Sequence, residues 1–326
     1  MNVTHMSDFG GPEMLVPGHA PDPTAGPGEV VLAVESAGVN PADALQRRGL
    51  YPPPPDAPGW PGLEVAGVVT QVSEGVGRWA AGDRVCALLP GGGYAEQVAV
   101  DASLVLPIPA GLQVVEAAAL VEAACTVWSN LDAAGATAGD TVLVHGGLGG
   151  VGSIAVQYAA ARGMRVLATA RGPERVARCL DLGAEAAFDH IADDWVAGVR
   201  ERGGADVILD VVGAAYLQRN LEALATGGRL VVIGLQKGAR AELDLGLLLA
   251  RRASIIGTTL RARPLAERAA VVAGVERDVW PLVPERVRPL VAGTFPLADA
   301  AAAHRALEAG GLEGSLVLTV GADGHR

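Results

Sequence analysis

The residues best suited to chemistry in this chain are three glycines at the spacing Gly147-x-Gly149-x-x-Gly152. Among 44 glycines the spacing alone is weak, but its flanks are not. The apolar run Val142–Val144 precedes it and a helical pattern, Ile154–Ala161, follows. Strand, glycine turn and helix in that order form a dinucleotide fingerprint, because glycines let the backbone approach a pyrophosphate. The free N–H groups and positive end of the helix then hold the anion. Gly147, Gly149, Gly150, Val151 and Gly152 are the residues assigned to that contact.

The next strand carries a second signal. Sites for NAD usually place Asp or Glu about 20 residues past the fingerprint, on the ribose 2′-hydroxyl. Here the strand ends Thr169-Ala170-Arg171, and Arg171 and Arg175 lie within reach of a 2′-phosphate. A guanidinium grips phosphate with two parallel bonds. The pair favours NADPH over NADH; the alternative is a solvated helix start.

These residues need a sheet to position them. Strands are expected at 141–146, 165–170, 186–189, 206–212, 229–235 and 254–260, with helices between them. The strands are continuous Val/Ile/Leu runs, as in a parallel sheet covered on both faces. Six strands with crossovers predict a Rossmann doubly wound sheet. Gly163, Gly183 and Gly227 read as helix caps.

The first part differs. Short strands at 30–37, 64–73, 83–89 and 94–100 alternate with turns such as Pro52-Pro-Pro-Pro55 and Gly91-Gly-Gly93. They predict a mostly antiparallel, partly open β-barrel domain. The tail adds a helix at 298–309 and a strand at 315–320 that must join an existing sheet. The expected division is therefore 1–122 with 262–326 as one discontinuous domain, and 123–261 as the nucleotide domain.

Composition narrows the class. Of 326 residues half are hydrophobic and 19% charged, which suits a folded enzyme rather than a disordered chain. A net charge of −11 argues against a nucleic-acid partner. No apolar run reaches membrane-span length, and the N-terminus lacks a signal-peptide pattern. Cys86, Cys125 and Cys179 are scattered, against a disulfide framework. A cytoplasmic enzyme is expected.

A family resemblance rests on motifs in order along the chain. They are Gly38-Val-Asn-Pro-Ala-Asp43, Gly62-Leu-Glu-Val-Ala-Gly-Val-Val69, Gly82-Asp-Arg-Val85, Gly93-Tyr-Ala-Glu96, Gly149-Gly-Val-Gly152, Asp210-Val-Val-Gly213 and Ala302-Ala-His304. The chain resembles the zinc-free quinone oxidoreductase branch of the medium-chain dehydrogenase/reductase superfamily. Within it, the segments 46–54 and 88–93 are most similar to the p53-inducible group. The resemblance implies a GroES-like substrate domain with a cleft against the nucleotide domain, NADPH as hydride donor, and a homodimer. The exposed-edge candidate Ile255-Ile256 is compatible with that dimer.

It also implies roles. Asn40 sits at the cleft floor near the nicotinamide or the acceptor oxygen, or caps the following helix, or both. Thr126 contacts the nicotinamide, or bonds its own helix backbone. Tyr51 donates a proton to the acceptor, stacks on a flat quinone, or packs a loop. Arg175 falls where relatives carry a phosphate-binding lysine, and His190 near the adenosine phosphate or in a surface turn. Gly234, Leu235, Leu260 and Arg263 match cofactor-touching segments, with Arg263 alternatively a linker charge. The segments 51–60 and 275–280 would wall the acceptor pocket.

The chain departs from its relatives in places. Gly149 replaces a serine found in the p53-inducible group, and Gly314-Ser-Leu316 lacks a common cofactor lysine. Zinc members carry cysteine where this chain has Asn40 and histidine where it has Leu63, so no catalytic metal site is expected. Cys125 alone does not make a site and reads as a small buried residue. Glu64 then bonds to backbone or to Arg84. Without a Lewis acid to polarise an alcohol oxygen, readier hydride acceptors fit better: quinones or conjugated carbonyls. The expected activity is NADPH-dependent quinone reduction. The alternatives are an enoyl or alkenal reductase and a non-catalytic NADPH-binding protein.

Overall fold

The computed structural model describes residues 1–55 and 57–321. They form two compact units. The first holds Met1–Cys125, Arg261–Pro284 and the residues from Arg288 onward; the second holds Thr126–Leu260 and Glu285–Val287.

The first unit opens with β1 (Asn2–Met6), β2 (Leu15–His19), β3 (Glu29–Val39) and α1 (Pro41–Arg47). β4 (Glu64–Val72), β5 (Arg84–Leu88), β6 (Gln97–Asp101), β7 (Val105–Pro107) and α2 (Val114–Ala118) follow. Helix α3 (Val121–Ala133) carries the chain into the second unit. There β8 (Thr141–His145), α4 (Gly150–Ala161), β9 (Arg165–Ala170), α5 (Pro173–Asp181), β10 (Ala186–Asp189) and α6 (Trp195–Glu201) alternate. The pattern continues through β11 (Ala205–Asp210), α7 (Leu217–Ala223), β12 (Leu224–Val232), α8 (Leu245–Arg251) and β13 (Ser254–Gly257). The chain returns to the first unit with α9 (Leu265–Asp278), β14 (Val291–Pro296), α10 (Ala300–Ala309) and β15 (Ser315–Thr319).

The second unit's sheet is wholly parallel, in the order β10-β9-β8-β11-β12-β13. That is the doubly wound Rossmann order, with β8 as the first strand. Every residue of β8 is buried, so side chains on both faces are covered, which explains its unbroken apolar run. β13 is an edge strand.

The first unit's larger sheet runs β14-β15-β3-β4-β5-β7, with β6 also on β3. All its pairs are antiparallel except β14 with β15. The late strand β15 lies antiparallel to β3, Leu316 opposite Val39. This is the mostly antiparallel GroES-like domain.

Several boundaries differ from the sequence expectation. The strand expected from Tyr94 starts at Gln97, because Tyr94 bonds instead to Pro61 and Thr4. Gly163 and Gly183 do terminate helices, with positive φ and N–H bonds to Ala160 and Leu180 carbonyls. Gly227 does not: it lies inside β12, near an irregularity in the pairing with β11. The last parallel strand ends at Gly257, and most of 275–280 belongs to α9 rather than to a loop.

Candidate active site

In the second unit the candidate cofactor residues cluster past the carboxyl ends of the parallel strands. His145 closes β8 opposite Thr169 of β9, and Ala170 of β9 lies opposite Asp189 of β10. The register therefore puts Gly146, Arg171 and His190 at the next positions beyond three adjacent strands. Gly234 and Leu235 follow β12, and Leu260 lies three residues past β13. Ligands of doubly wound sheets bind at these ends.

The glycine turn is held from below. Thr169 Oγ1 accepts the Gly146 N–H at 3.3 Å and meets His145 Nδ1 at 3.0 Å. His145 Nε2 meets Asn220 Oδ1 at 2.7 Å. An amide oxygen only accepts, so Nε2 carries the proton and Nδ1 accepts from the threonine. Burial pulls this histidine down to about 4, so it is neutral at pH 7. A Cβ on Gly152 would sit 2.0 Å from the Gly146 carbonyl oxygen, and one on Gly147 would press on Ala168 and Cys179. Gly149 is the N-cap of α4 with φ of −68°, and its nearest obstacle is 3.5 Å away. Two of the three fingerprint glycines are thus demanded by packing, and the third is not. The first-turn N–H groups of α4 have no intrahelical partner. A groove lined by Val144, His145, Val151, Gly152, Leu209 and Val211 lies over that turn.

Arg171 is exposed and Arg175 half-buried at the start of α5. His190 Nδ1 donates to the Ala170 carbonyl at 2.7 Å. In the neutral ring Nε2 is then an acceptor, so His190 can donate to a phosphate only as imidazolium. Thr126 is half-buried in α3, and its carbonyl accepts from Ser129 Oγ and Asn130 Nδ2.

The remaining candidates belong to the first unit. Asn40 is the N-cap of α1, and its N–H donates to Asp43 Oδ2 at 2.8 Å. Its side-chain Nδ2 donates to Glu64 Oε1 at 2.9 Å. Asn40 thus forms a capping box with Asp43, and its amide also donates to Glu64. Glu64 Oε2 accepts the Glu122 N–H at 2.9 Å. Of the two expected partners it takes backbone; Arg84 is exposed at the start of β5. Gly38 is needed beside it, since a Cβ there would sit 2.2 Å from Glu64 Oε1 and 2.5 Å from the Ala118 carbonyl. Leu63 is 3% exposed, and Cys125 is fully buried with its thiol pushed well up by burial and by Glu122. Arg263 is half-buried at the start of the returning segment.

Tyr51 is half-buried beneath Arg261, which lies in the segment 260–263 matched to the cofactor but was not itself assigned a role. Arg261 holds its guanidinium carbon 5.1 Å from the centre of the Tyr51 ring. Burial raises the Tyr51 phenol above its usual range, Arg261 opposing. A second group of this kind joins three motifs. Tyr94 Oη lies 3.2 Å from Asp43 Oδ2 and 3.0 Å from His304 Nε2, and Arg47 Nη1 lies 3.3 Å from His304 Nδ1. Arginine only donates, so Nδ1 accepts, Nε2–H donates to the tyrosine, and the tyrosine donates to Asp43. Arg47 also pairs with Glu308.

Glu64 makes a testable pH statement. Burial, with the Glu122 charge next, pushes its carboxyl from 4.5 up to about 8. Across that window the unfolded chain has lost this proton and the folded chain keeps it, so stability falls as pH rises. At about 1.4 kcal/mol per pKa unit the effect is on the order of a few kcal/mol. Glu64→Gln removes the titration. Denaturant unfolding at a series of pH values should show the variant gaining on the wild type up to pH 8, then a constant difference. A difference flat throughout would mean that Glu64 is ionised in the folded protein.

Comparison with known proteins agrees with this architecture. The alcohol dehydrogenase GroES-like domain matches residues 26–110, and the zinc-binding dehydrogenase family matches 150–273. A YspA, cpYpsA-related SLOG family model matches 114–171. The quinone oxidoreductase of Rattus norvegicus is 32% identical over 98% of this chain and 97% of its own length. A quinone oxidoreductase of Thermus thermophilus, solved also in complex with NADPH, is 38% identical with a TM-score of 0.85, covering 98% of this chain and all of that one. A mycocerosic acid synthase-like polyketide synthase of Mycobacterium tuberculosis is 35% identical over 90% of this chain, but over only 14% of its own length. The chain belongs to the quinone oxidoreductase branch of the medium-chain dehydrogenase/reductase superfamily, and it is an oxidoreductase.

Proposed function

We propose that the chain reduces quinones with NADPH and without zinc. Residues 123–261 serve as the nucleotide domain, and 1–122 with 262–326 as the substrate domain. The observation that carries this reading is the end of β9, where Arg171 stands in place of the acid of an NAD site. Gly147, Gly149, Gly150, Val151 and Gly152 hold the pyrophosphate. Arg171 and Arg175, with His190 when charged, take the 2′-phosphate. Gly234, Leu235, Leu260 and Arg263 line the rest of the cofactor.

When bound, NADPH supplies the hydride. The protein orients the partners. Asn40, its amide fixed by Glu64, orients the nicotinamide or the acceptor oxygen, and Thr126 contacts the nicotinamide. Tyr51 offers a ring for a flat acceptor. Arg261 already lies over that ring, so stacking uses the opposite face. Tyr51→Phe keeps the ring and is expected to lower kcat by less than about 10-fold, below the roughly 100-fold or more that general acid catalysis contributes. A fall of several orders of magnitude in steady-state turnover would show that the phenol donates the proton instead.

A second reading has specific support. The likeness to a segment of a polyketide synthase favours an enoyl reductase acting on a conjugated thioester. It requires Tyr51 as the proton donor to carbon, so the same variant separates the two. For assembly we propose a homodimer through the edge strand β13, whose Ile255 is 38% exposed. Among the described residues no helix is long and apolar enough to cross a membrane.

A further inference from the structure

The segment from Tyr51 to Trp60 has an unusual problem of attachment. Pro52 to Pro55 and Pro58 have no N–H, so the segment cannot hold itself by a backbone ladder. It forms neither helix nor strand in its described residues. The Ala57 N–H donates to the Pro54 carbonyl within the segment, and the carbonyls at its two ends take donors from elsewhere.

One side chain supplies the donor at the Tyr51 end and holds the side chain that supplies the donor at Gly59. Arg261 is 5% exposed. Its Nη1 donates to the Tyr51 carbonyl at 3.2 Å, and its Nε to the Pro90 carbonyl at 2.6 Å. Its Nη2 donates to Gln46 Oε1 at 2.7 Å. Gln46 in turn donates Nε2 to the Gly59 carbonyl at 3.1 Å. Both ends of the segment are thus tied to one guanidinium, directly at Tyr51 and through Gln46 at Gly59. The far end is fastened again at the glycine turn, where Trp60 Nε1 donates to the Gly92 carbonyl and the Gly92 N–H to that of Trp60. A buried guanidinium is tolerated only when its donors are used, and only its planar fork reaches three acceptors in fixed directions.

We infer that Arg261 is a positioning residue for the acceptor: it fixes Tyr51 and the segment to Trp60, and so decides which acceptors fit. The claim about acceptors rests on the quinone-reductase reading; the claim about the segment does not. Lysine keeps the charge but cannot make the fork, so Arg261→Lys is the first variant. Gln46→Met removes the Gly59 bond and the acceptor of Arg261 Nη2 but leaves the Tyr51 and Pro90 carbonyls held, and serves as the second variant.

The test combines two measurements on the full chain. Amide hydrogen exchange is followed in peptides covering 48–62 and 88–95. Initial rates are measured with 1,2-naphthoquinone and the wider 9,10-phenanthrenequinone at saturating NADPH. Arg261→Lys should speed exchange in both peptides about 10-fold or more. It should raise KM for the quinones by a similar factor and change the preference between them, with kcat and the Kd for NADPH within about 3-fold of wild type. Gln46→Met should loosen 48–62 alone. Unchanged exchange in both variants would overturn the inference, as would a loss of NADPH affinity in step with quinone KM. If the wild type reduces neither quinone, the functional reading fails, and the exchange result still decides the role of Arg261.

Discussion

Replacing Gly152 by alanine is expected to remove measurable NADPH binding, a loss of at least about 100-fold. The added Cβ would meet the Gly146 carbonyl oxygen at 2.0 Å and Gly147 Cα at 3.1 Å, both backbone atoms that no rotamer change can move aside. Relief requires α4 to shift away from β8, and overpacking of this kind costs about 1–3 kcal/mol or more in stability. The shift would also disturb Gly146, which Thr169 and the neutral His145 hold in place. Gly149→Ser is the matched control. With φ of −68° and 3.5 Å of clearance it should bind NADPH within a few-fold of wild type. Fluorescence titration with NADPH and thermal unfolding check both. Wild-type affinity in Gly152→Ala would mean that the turn does not carry the cofactor.

The second large effect is on the choice of nucleotide. Removing both arginines, Arg171→Ala with Arg175→Ala, should lower kcat/KM for NADPH about 100-fold and leave NADH nearly unchanged. Hydrogen bonds to charged groups contribute about 1.5–3 kcal/mol each, so losing one or two accounts for that factor. The register supports the placement, because Arg171 and His190 follow paired residues of β9 and β10. His190 contributes less, since its Nδ1 is committed to the Ala170 carbonyl. Initial rates with the two nucleotides decide the matter. An equal fall with both would assign the arginines to the fold rather than to the 2′-phosphate.

The nucleotide unit was the more legible half. Its central strands β8, β9 and β11 are almost wholly buried, so each appears as a largely apolar run, and the glycine spacing lies on the turn between β8 and α4. The return of β15 to the first sheet also followed from simple reasoning, since a lone strand needs a partner. Strand ends were less legible. β13 stops at Gly257 although the following Thr258 and Thr259 are of a type that strands favour, and the Gly227 turn is part of a strand irregularity rather than a helix cap. Long-range polar contacts were the least legible. Asp43, Tyr94 and His304 each stood in a motif, but nothing in their spacing shows that they meet across 51 and 210 positions. Arg261 lies in the segment 260–263 matched to cofactor contacts, but nothing in the sequence shows that it meets Tyr51, Pro90 and Gln46. A run of prolines offering carbonyls without N–H groups was the available clue.

The most direct test follows the loss of reduced-nicotinamide absorbance with EDTA-treated protein. NADPH and NADH are offered in parallel, each with an ortho-quinone, an unsaturated aldehyde and an enoyl thioester. The proposed function predicts fast oxidation of NADPH with the quinone, slow oxidation of NADH, and no effect of EDTA. Preference for the thioester or the aldehyde would contradict it in favour of an enoyl-type reductase. Activity lost to EDTA and restored by zinc would contradict the metal-free chemistry inferred from Asn40 and Leu63.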